Sequence, residues 1–412
     1  MENRRVVVTG LGVISPVGND INTFWESLVN GVNGIGQITK FDTTEYAVKI
    51  GAEVKDFNVL DYMTKPESRR TDVAVQYAVA AATQAVEDAG IEGKFEPERC
   101  GVYFGSGIGG MNTFEANHTK LIEKGPRFVS PYFIPMMIPN MAAGTIAIKY
   151  GCKGAALPAV SACASGTNAI GEALRAIRHG YADVMITGGT EATITATSVA
   201  GFINMQALNV TDDVDHASLP FDARRGGFVM GEGAGALVIE EYEHAVARGA
   251  KIYAELTGYG STCDAHHMTA PDPEGEGGAA AIRNAYLENG DCDPEKIYIN
   301  AHGTGTPLND KGETLAIKKA LGEDAARKVT ISSTKSMTGH MLGAAGAVEA
   351  IACVKALETG IVPPTIGLEE PDSECDLFYT PLKAIEKDIE VALSSSLGFG
   401  GHNACIALRK VK

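Results

Sequence analysis

The sequence offers little with which to cross a membrane, cross-link itself or hold a metal ion. Its 412 residues contain no unbroken apolar run of membrane length, and the first residues, whose apolar run is broken at Gly10 and Gly12, lack the pattern of a signal peptide. The eight cysteines are scattered without a CxxC pair, so neither a disulfide framework nor a zinc site is expected. The pair His266-His267 has no cysteine or carboxylate at a convincing ligand spacing. These absences predict a cytoplasmic protein with reduced thiols, no metal and no insertion into a membrane.

Positive charge is also scarce. The chain has 35 lysines and arginines against 51 acidic residues, a formal net charge of −16, which argues against nucleic acid as a partner. Basic residues nevertheless gather in two places, at Lys65, Arg69 and Arg70 and at Lys120, Lys124 and Arg127. Such groups are either ordinary solvated surface or a docking site for an acidic partner. With 45% apolar and 21% charged residues, the composition is that of a globular enzyme.

The chain repeats its own pattern once. The run Val8-Thr9-Gly10-Leu11-Gly12 is echoed by Leu256-Thr257-Gly258-Tyr259-Gly260. An alanine-rich helix that ends at Gly90 precedes a strand at 101–104, and a second one that ends at Gly290 precedes a strand at 296–301. Strands that alternate with helices predict two copies of an α/β unit, each with a mainly parallel sheet.

The junction between the two copies is expected near residue 250. The sequence therefore predicts two halves, residues 1–250 and residues 251–412. Segments 107–140 and 195–222 have no counterpart in the second half. Insertions of this kind are where a substrate pocket or a subunit contact is expected.

Cys163 has a setting that the other seven cysteines lack. It follows a strand-like run at 156–162 and directly precedes a helix-like run that stops at Gly180. A thiol at such a corner lies near unpaired N–H groups and the positive end of a helix dipole, so a lowered pKa and a thiolate are expected. Its small neighbours leave room for a substrate. The alternative is an inert cysteine in the core.

Two histidines lie in loops at predicted strand ends of the second half. His302 follows the strand at 297–301, and His340 follows the strand at 329–333 and precedes a helix. Ligands of α/β folds collect at the carboxyl ends of strands. If the halves pack around a pseudo-twofold axis, Cys163 of the first half faces both histidines of the second.

These three residue types suit acyl transfer. A thiolate can attack an acyl thioester and hold the acyl group as a new thioester. Neutral imidazoles can donate N–H groups to a developing enolate or oxyanion. Lys335 and Glu349 are either an ordinary ion pair or a support for this site.

Four motifs together resemble the β-ketoacyl-[acyl-carrier-protein] synthases. They are Val160-Ser161-Ala162-Cys163-Ala164-Ser165-Gly166, His302-Gly303-Thr304-Gly305-Thr306, Lys335-Ser336-Met337-Thr338-Gly339-His340 and Gly398-Phe399-Gly400-Gly401-His402-Asn403. The resemblance runs from residue 3 to residue 410. It implies the thiolase fold, in which two similar α/β halves form a five-layer α-β-α-β-α sandwich, usually as a homodimer.

Within that wider group the third catalytic residue separates the subfamilies. Thiolases have a second cysteine there, and the initiating synthase III and chalcone-synthase types have an asparagine. This chain has His340, as in the elongating synthases I and II. The run Gly105-Ser106-Gly107-Ile108-Gly109-Gly110 is more similar to synthase II.

The resemblance also implies roles for individual residues. The catalytic residues are Cys163, His302 and His340. Their supports are Lys335, Glu349 and Phe399, and the N–H groups of Cys163 and Phe399 form an oxyanion hole. The substrate-binding residues are Ile108, Phe202, Thr269, Thr304, Thr306 and Gly400. The residues that dock an acidic acyl carrier protein are Lys65, Arg69, Arg70, Lys124 and Arg127.

The implied reaction is a decarboxylative Claisen condensation in fatty acid elongation. An acyl group held on Cys163 reacts with malonyl-[acyl-carrier-protein] to give 3-oxoacyl-[acyl-carrier-protein] and carbon dioxide. No cofactor is expected, because the phosphopantetheine belongs to the carrier substrate. The alternatives are a synthase I or polyketide ketosynthase, a thiolase-type enzyme acting on coenzyme A thioesters, and a non-catalytic partner subunit of a ketosynthase.

Overall fold

The computed structural model describes residues 4–411 and contains two copies of one strand arrangement. The strands are β1 (Val6–Ile14), β2 (Gly36–Gln37), β3 (Ile50–Gly51), β4 (Cys100–Gly105), β5 (Ala156–Ala159), β6 (Val184–Glu191), β7 (Gly233–Glu241), β8 (Ala254–Cys263), β9 (Ile297–Asn300), β10 (Thr330–Ser332), β11 (Ile361–Val362), β12 (Ile385–Glu386), β13 (Val391–Gly398) and β14 (His402–Arg409). The helices are α1 (Ile21–Val29), α2 (Lys65–Ser68), α3 (Val73–Ala89), α4 (Met111–Lys124), α5 (Phe133–Met137), α6 (Met141–Tyr150), α7 (Ser165–Arg178), α8 (Ala196–Asn204), α9 (Tyr242–Ala247), α10 (Glu276–Asn289), α11 (Pro307–Leu321), α12 (Glu323–Ala326), α13 (Lys335–Thr338) and α14 (Ala345–Thr359).

Both halves order their strands in the same way. Outward from the centre of the molecule, the first half runs β1-β7-β6-β4-β5 and the second runs β8-β14-β13-β9-β10. When only the strands of this large sheet are counted along the chain, each half has the spatial order first, fifth, fourth, second, third. The duplication seen in the sequence is thus a duplication of topology.

The prediction of mainly parallel sheets is wrong. Strands β4 and β9 pair in parallel with both of their neighbours, but β7, β14, β1 and β8 pair antiparallel. The reason is clearest for β13 and β14, which are joined by a short turn at 399–401. A connection of that length can only return the chain antiparallel, because a parallel pair needs a long crossover.

Helices α7 and α14 form a layer between the two halves. Helix α7 packs on β4 and β6 of its own half and on β8 and β14 of the other, and α14 packs on β9 and β13 as well as on β6 and β7. Glycines allow the two helices to touch: a Cβ on Gly166 would lie 2.9 Å from the Ala347 nitrogen, and one on Gly346 would lie 2.0 Å from Thr167 Oγ1. Their apolar side chains, including Leu174 and Ile351, are fully buried in one cluster.

The outer faces are covered by helices of each half. Helices α3 and α6 cover the first half, and α10, with α11 beside it, covers the second. The five-layer order α-β-α-β-α is therefore present and the thiolase fold is confirmed. One feature was not predicted. Strands β1 and β8 pair through Val7–Glu255 and Val8–Ala254, and this short contact joins the strands of the two halves into one ten-stranded sheet. The division at residue 250 stays a prediction. Within residues 4–411, every helix is too short or too polar to cross a bilayer.

Candidate active site

Cys163 lies in a tight turn between a strand and a helix. Strand β5 ends at Ala159, three residues earlier than the strand predicted from the sequence. Ala162 has a φ of 50°, in the left-handed region that costs a non-glycine residue energy. Ser165 holds the turn, since its Oγ accepts the Ser161 N–H at 2.9 Å and donates to the Ala162 carbonyl at 2.7 Å. The strained backbone of this turn places Cys163 directly before α7.

The second half contains the same turn without a cysteine. Leu342 has a φ of 46°, the turn at 342–344 leads into α14, and Gly343 takes the place that Cys163 has in the first half. We call these two turns the first elbow (162–164) and the second elbow (342–344). His340 lies just before the second elbow, which is why the duplication brings it close to the nucleophile of the first.

The structure brings Cys163, His302 and His340 together. His340 Nε2 lies 3.0 Å from Cys163 Sγ, and the two imidazole ring centroids are 5.2 Å apart. The sulfur and one nitrogen of each ring all lie within 4.8 Å of one another. Cys163 and His340 are 177 residues apart in the sequence but lie within hydrogen-bonding distance in the fold. Such a set can also bind a metal ion, so the expected absence of a metal stays a prediction.

Burial sets the charge state of the three groups. It lowers the pKa of His302 and of His340 well below the ordinary value, and the nearby Lys335 cation lowers both further. Both rings are therefore neutral at physiological pH, the form that can donate an N–H without bringing a positive charge. The Nδ1 atom of each ring is buried without a hydrogen-bond partner among residues 4–411.

The expectation of a resting thiolate is wrong. Burial raises the pKa of the Cys163 thiol to about 12, although the Lys335 cation opposes the change. The side chain is only 9% exposed. A helix dipole contributes about 0.3–1 kcal/mol near its end, which is too little to offset the loss of hydration of a buried anion. The thiol is protonated at rest, so it must lose its proton when the substrate binds.

We expect alkylation of Cys163 by iodoacetamide to keep rising through neutral and moderately alkaline pH. Below the pKa the thiolate fraction grows about tenfold per pH unit. The rate at Cys163, followed by peptide mass spectrometry, should therefore still increase above pH 9, whereas that of free cysteine levels off near its pKa of about 8.5. A plateau at Cys163 near pH 8 would contradict the neutral resting thiol.

The buried carboxylate of Glu313 holds the loop that carries His302. It accepts the N–H groups of His302 and Gly303, each at 2.7 Å, and the Ser395 hydroxyl at 2.7 Å. Burial raises its pKa to about 7, although these donors oppose the change. Sequence reasoning missed this residue. The signal was an acidic residue on α11 at a position that faces the core, one turn after the buried Asp310.

Lys335 and Glu349 form an ion pair that is buried on both sides. Neither lines the cavity that contains the Cys163 sulfur; they lie behind it. The Ser218 hydroxyl donates to the Lys335 carbonyl at 2.8 Å, which anchors α13. The Lys335 cation lowers the pKa of Cys163 and of both histidines, so its position is the one expected of a residue that supports the site. That role stays a prediction.

A cavity of about 530 Å³ opens onto the three residues. Its lining includes all but one of the predicted substrate-binding residues: Ile108, Phe202, Thr269, Thr304 and Thr306. Phe399 also lines it and faces Phe202 with ring centroids 6.4 Å apart. The Thr304 and Thr306 hydroxyls are 3.0 Å apart, as suits a polar, extended ligand.

Gly400 is the exception, because the structure places it outside the cavity lining. Gly398, Phe399 and Gly401 line the cavity instead. The Gly400 N–H donates instead to the Met268 carbonyl at 2.8 Å. The end of β13 nevertheless lies against the first elbow: a Cβ on Gly398 would be 3.2 Å from the Cys163 nitrogen.

The predicted docking residues lie at the surface and away from the cavity lining. All five are exposed: Lys65, Arg69, Arg70, Lys124 and Arg127. The Arg70 guanidinium lies 5.0 Å from the centroid of the Tyr132 ring in the insertion 107–140. One basic group therefore contacts the segment that carries Lys124 and Arg127 of the other.

Comparison with known proteins decides the family. Family models for the N-terminal and the C-terminal domain of β-ketoacyl synthase match residues 3–245 and 253–369. The chain belongs to the β-ketoacyl synthase family. This synthase is 52% identical over 411 residues, 99% of each chain, to a Staphylococcus aureus protein named 3-oxoacyl-[acyl-carrier-protein] synthase 2.

Solved structures of other family members share its fold over the whole chain. The ishigamide ketosynthase/chain length factor is 36% identical, with a TM-score of 0.93 and full coverage of both chains. A type II polyketide ketosynthase that was solved in complex with its acyl carrier protein is 35% identical, with a TM-score of 0.91 and full coverage of both chains. The synthase therefore shares the ketosynthase fold over the whole length of both solved chains.

Proposed function

We propose that this synthase catalyses the decarboxylative Claisen condensation of fatty acid elongation. An acyl group on Cys163 reacts with malonyl-[acyl-carrier-protein] to give 3-oxoacyl-[acyl-carrier-protein] and carbon dioxide. The observation that carries the proposal is the contact of a buried, neutral His340 with Cys163 Sγ at 3.0 Å, beside an equally buried His302. One nucleophile and two uncharged donors are the groups that this reaction needs.

The first step transfers the acyl group. The Cys163 sulfur attacks the thioester carbonyl, a carbon–sulfur bond forms, and the bond to the pantetheine sulfur breaks. The thiol proton passes through His340 Nε2 to the departing pantetheine sulfur, so the ring ends neutral again. The Cys163 and Phe399 N–H groups hold the oxyanion that forms between the two events, a placement supported by the packing of Gly398 against the Cys163 nitrogen.

The second step makes the new carbon–carbon bond. Malonyl-[acyl-carrier-protein] loses carbon dioxide, and His302 and His340 donate to the enolate oxygen that remains. The enolate carbon attacks the acyl carbonyl on Cys163, the bond to the Cys163 sulfur breaks, and the thiolate takes up from water the one proton that the net reaction consumes. Neutral rings suit this role, because the buried site disfavours a full positive charge.

The pantetheine arm of the carrier occupies the polar side of the cavity in this proposal. Thr304 and Thr306 hydrogen-bond to it, and the acyl chain lies between Ile108, Phe202 and Phe399. No dissociable cofactor takes part, because the loss of carbon dioxide drives the condensation and the phosphopantetheine arrives on the substrate.

The test supplies the protein with acyl- and malonyl-carrier protein and measures carbon dioxide and 3-oxoacyl product. Formation of both supports the proposal, and formation of neither overturns it. A parallel reaction with malonyl-coenzyme A separates the thiolase-type alternative, which requires equal or faster turnover of the coenzyme A thioester. Labelling of Cys163 without turnover would instead favour a non-catalytic partner subunit.

We propose an acyl carrier protein as the partner, bound by the basic region around Arg69, Arg70 and Arg127. Two observations support this: the exposure of these cations on an otherwise acidic protein, and the carrier complex solved for the polyketide relative. Steering by such a region depends on salt, because the Debye length is about 8–10 Å near physiological ionic strength.

Reversing two of these charges should weaken carrier binding. We expect R69E/R127E to raise the KM for acyl-carrier protein by about tenfold at low salt and by much less at high salt, because charges at an interface act mainly on encounter. Turnover of a coenzyme A thioester should not change. K383E, which reverses an exposed lysine of the second half, serves as the control. An unchanged salt dependence in R69E/R127E would reject this docking region.

We also propose a homodimer in the cytoplasm. Strand β5 is an edge of the ten-stranded sheet, and Leu157 within it and Val160 just after it are 51% and 53% exposed. An uncovered apolar edge strand favours pairing with another chain. Sedimentation of L157K as a monomer would support this interface, and an unchanged species would not. All eight cysteines are free, which supports a reducing compartment.

A further inference from the structure

Glu191 is a fully buried carboxylate that neither the motifs nor the proposed mechanism uses. It ends β6, behind the wall of the cavity rather than in it. It accepts four hydrogen bonds, all from neutral donors. They are the Gly107 N–H at 2.8 Å, the Ile108 N–H at 3.3 Å, the Ser106 hydroxyl at 3.2 Å and the Gly343 N–H at 3.1 Å.

One oxygen of this carboxylate joins the two halves of the protein. Oε2 accepts the N–H of Gly107 from the first half and that of Gly343 from the second. Gly343 is the residue of the second elbow that corresponds to Cys163. A Cβ there would lie 2.8 Å from Glu191 Oε2 and 2.4 Å from the Gly107 nitrogen. Position 343 can therefore carry no side chain, and the Gly343 N–H group is already occupied by a carboxylate.

Both donors of this bridge adjoin a residue of the cavity wall. Ile108 follows Gly107 and also gives its own N–H to Glu191 Oε1, and Leu342 precedes Gly343. Ile108 and Leu342 both line the cavity that holds the Cys163 sulfur. Ser106 tightens the first of these segments, because its Oγ also accepts the Gly109 N–H at 3.0 Å. The position of each wall thus depends on the same buried group.

We propose that Glu191 is a positioning residue that fixes the distance between the Ile108 and Leu342 walls and thereby selects which acyl chains Cys163 accepts. The inference rests on the proposed condensation, because the selection is among acyl groups on Cys163. Loss of Glu191 releases both walls, so acyl chains that the native cavity disfavours gain relative to those it prefers.

The chemistry of the carboxylate determines which variants are informative. In Glu191→Gln the amide oxygen can keep the bridge between Gly107 and Gly343, but the amide nitrogen then faces the Ile108 N–H, and two donors repel. This variant should release only the Ile108 wall. Glu191→Ala removes both acceptor oxygens, and with them all four hydrogen bonds, and leaves a buried hole lined by N–H groups and the Ser106 hydroxyl, which formate has the charge and size to fill.

The experiment measures kcat/KM for acylation of Cys163 by short, medium and long acyl-carrier proteins, using intact-protein mass spectrometry. We expect the ratio between preferred and disfavoured chains to fall by about tenfold in E191A, the size of effect that a changed apolar pocket produces, and by less in E191Q. Formate should restore the ratio in E191A and leave the wild-type ratio unchanged.

The control is E240Q, a substitution of another fully buried carboxylate, whose partners Thr9, His244 and Arg248 lie outside the cavity lining. It should lower the melting temperature without changing the ratio. If E191Q and E191A acylate more slowly but keep the wild-type ratio, the positioning role is overturned. If E191A does not fold, the ratio in E191Q decides. Wild-type protein that accepts no acyl group at all would instead overturn the proposed function.

Discussion

Replacing Cys163 with alanine should abolish condensation while leaving the release of carbon dioxide from malonyl-carrier protein. The acyl-enzyme cannot form without the sulfur, so we expect product formation to fall by about 10⁴-fold or more, as when other enzymes lose their nucleophile. The histidines, which act on the malonyl group, remain in place. Decarboxylation should therefore persist within about tenfold of the wild-type rate.

Two measurements make this prediction specific. Product is followed by mass spectrometry of the carrier, and carbon dioxide by trapping from labelled malonyl. The protein should fold normally, because removing one sulfur atom from a lined cavity costs roughly 1 kcal/mol. C263A, at an exposed cysteine, is the matched control and should retain full activity. Condensation at a measurable fraction of the wild-type rate in C163A would disprove covalent catalysis at this residue.

Replacing either histidine with alanine should slow decarboxylation by about 10²–10³-fold, the effect of removing one preorganised donor from an oxyanion site. The two variants should differ in the first step. His340 Nε2 lies 3.0 Å from Cys163 Sγ, whereas for His302 the structure places a ring nitrogen within 4.8 Å of the sulfur. Acylation of Cys163 should therefore slow in H340A and stay within a few-fold of wild type in H302A.

Single-turnover acylation and carbon dioxide release distinguish these effects. H179A, at an exposed histidine that follows α7, is the control and should leave both steps unchanged. Equal acylation rates in H302A and H340A would remove His340 from the proton path of the first step. Wild-type decarboxylation in both variants would remove the imidazoles from enolate stabilisation altogether.

The nucleophile and its helix were predictable because they depend on local sequence. A strand-like run, a cysteine and a helix with a glycine stop place Cys163 at an elbow, and α7 begins two residues later. The repeated pattern likewise predicted two equivalent halves, since each copy follows the same local rules. The sheet direction was missed, because burial on both faces hides the alternation that would separate antiparallel from parallel strands.

The charge of Cys163 could not be derived from its position at a helix end. Sequence shows the dipole, but the depth of burial comes from residues far along the chain, such as Gly398 at the end of β13. The thiolate expected from the sequence and the neutral thiol that burial favours in the structure differ for this reason. Glu191 and Glu313 were missed for a related one: most of their partners are backbone N–H groups of loops, which no side-chain motif reveals.

The sequence alone predicted the residues of the proposed chemistry: one cysteine at an elbow, two histidines at strand ends and the duplication that carries them. These patterns depend on neighbouring residues, so they can be read from the sequence without knowledge of the fold. The tertiary structure decided the distances, the protonation states and the walls of the cavity. Each of these is set by burial and by contacts between the two halves, and it took the packing of α7 against α14 to bring His340 to Cys163.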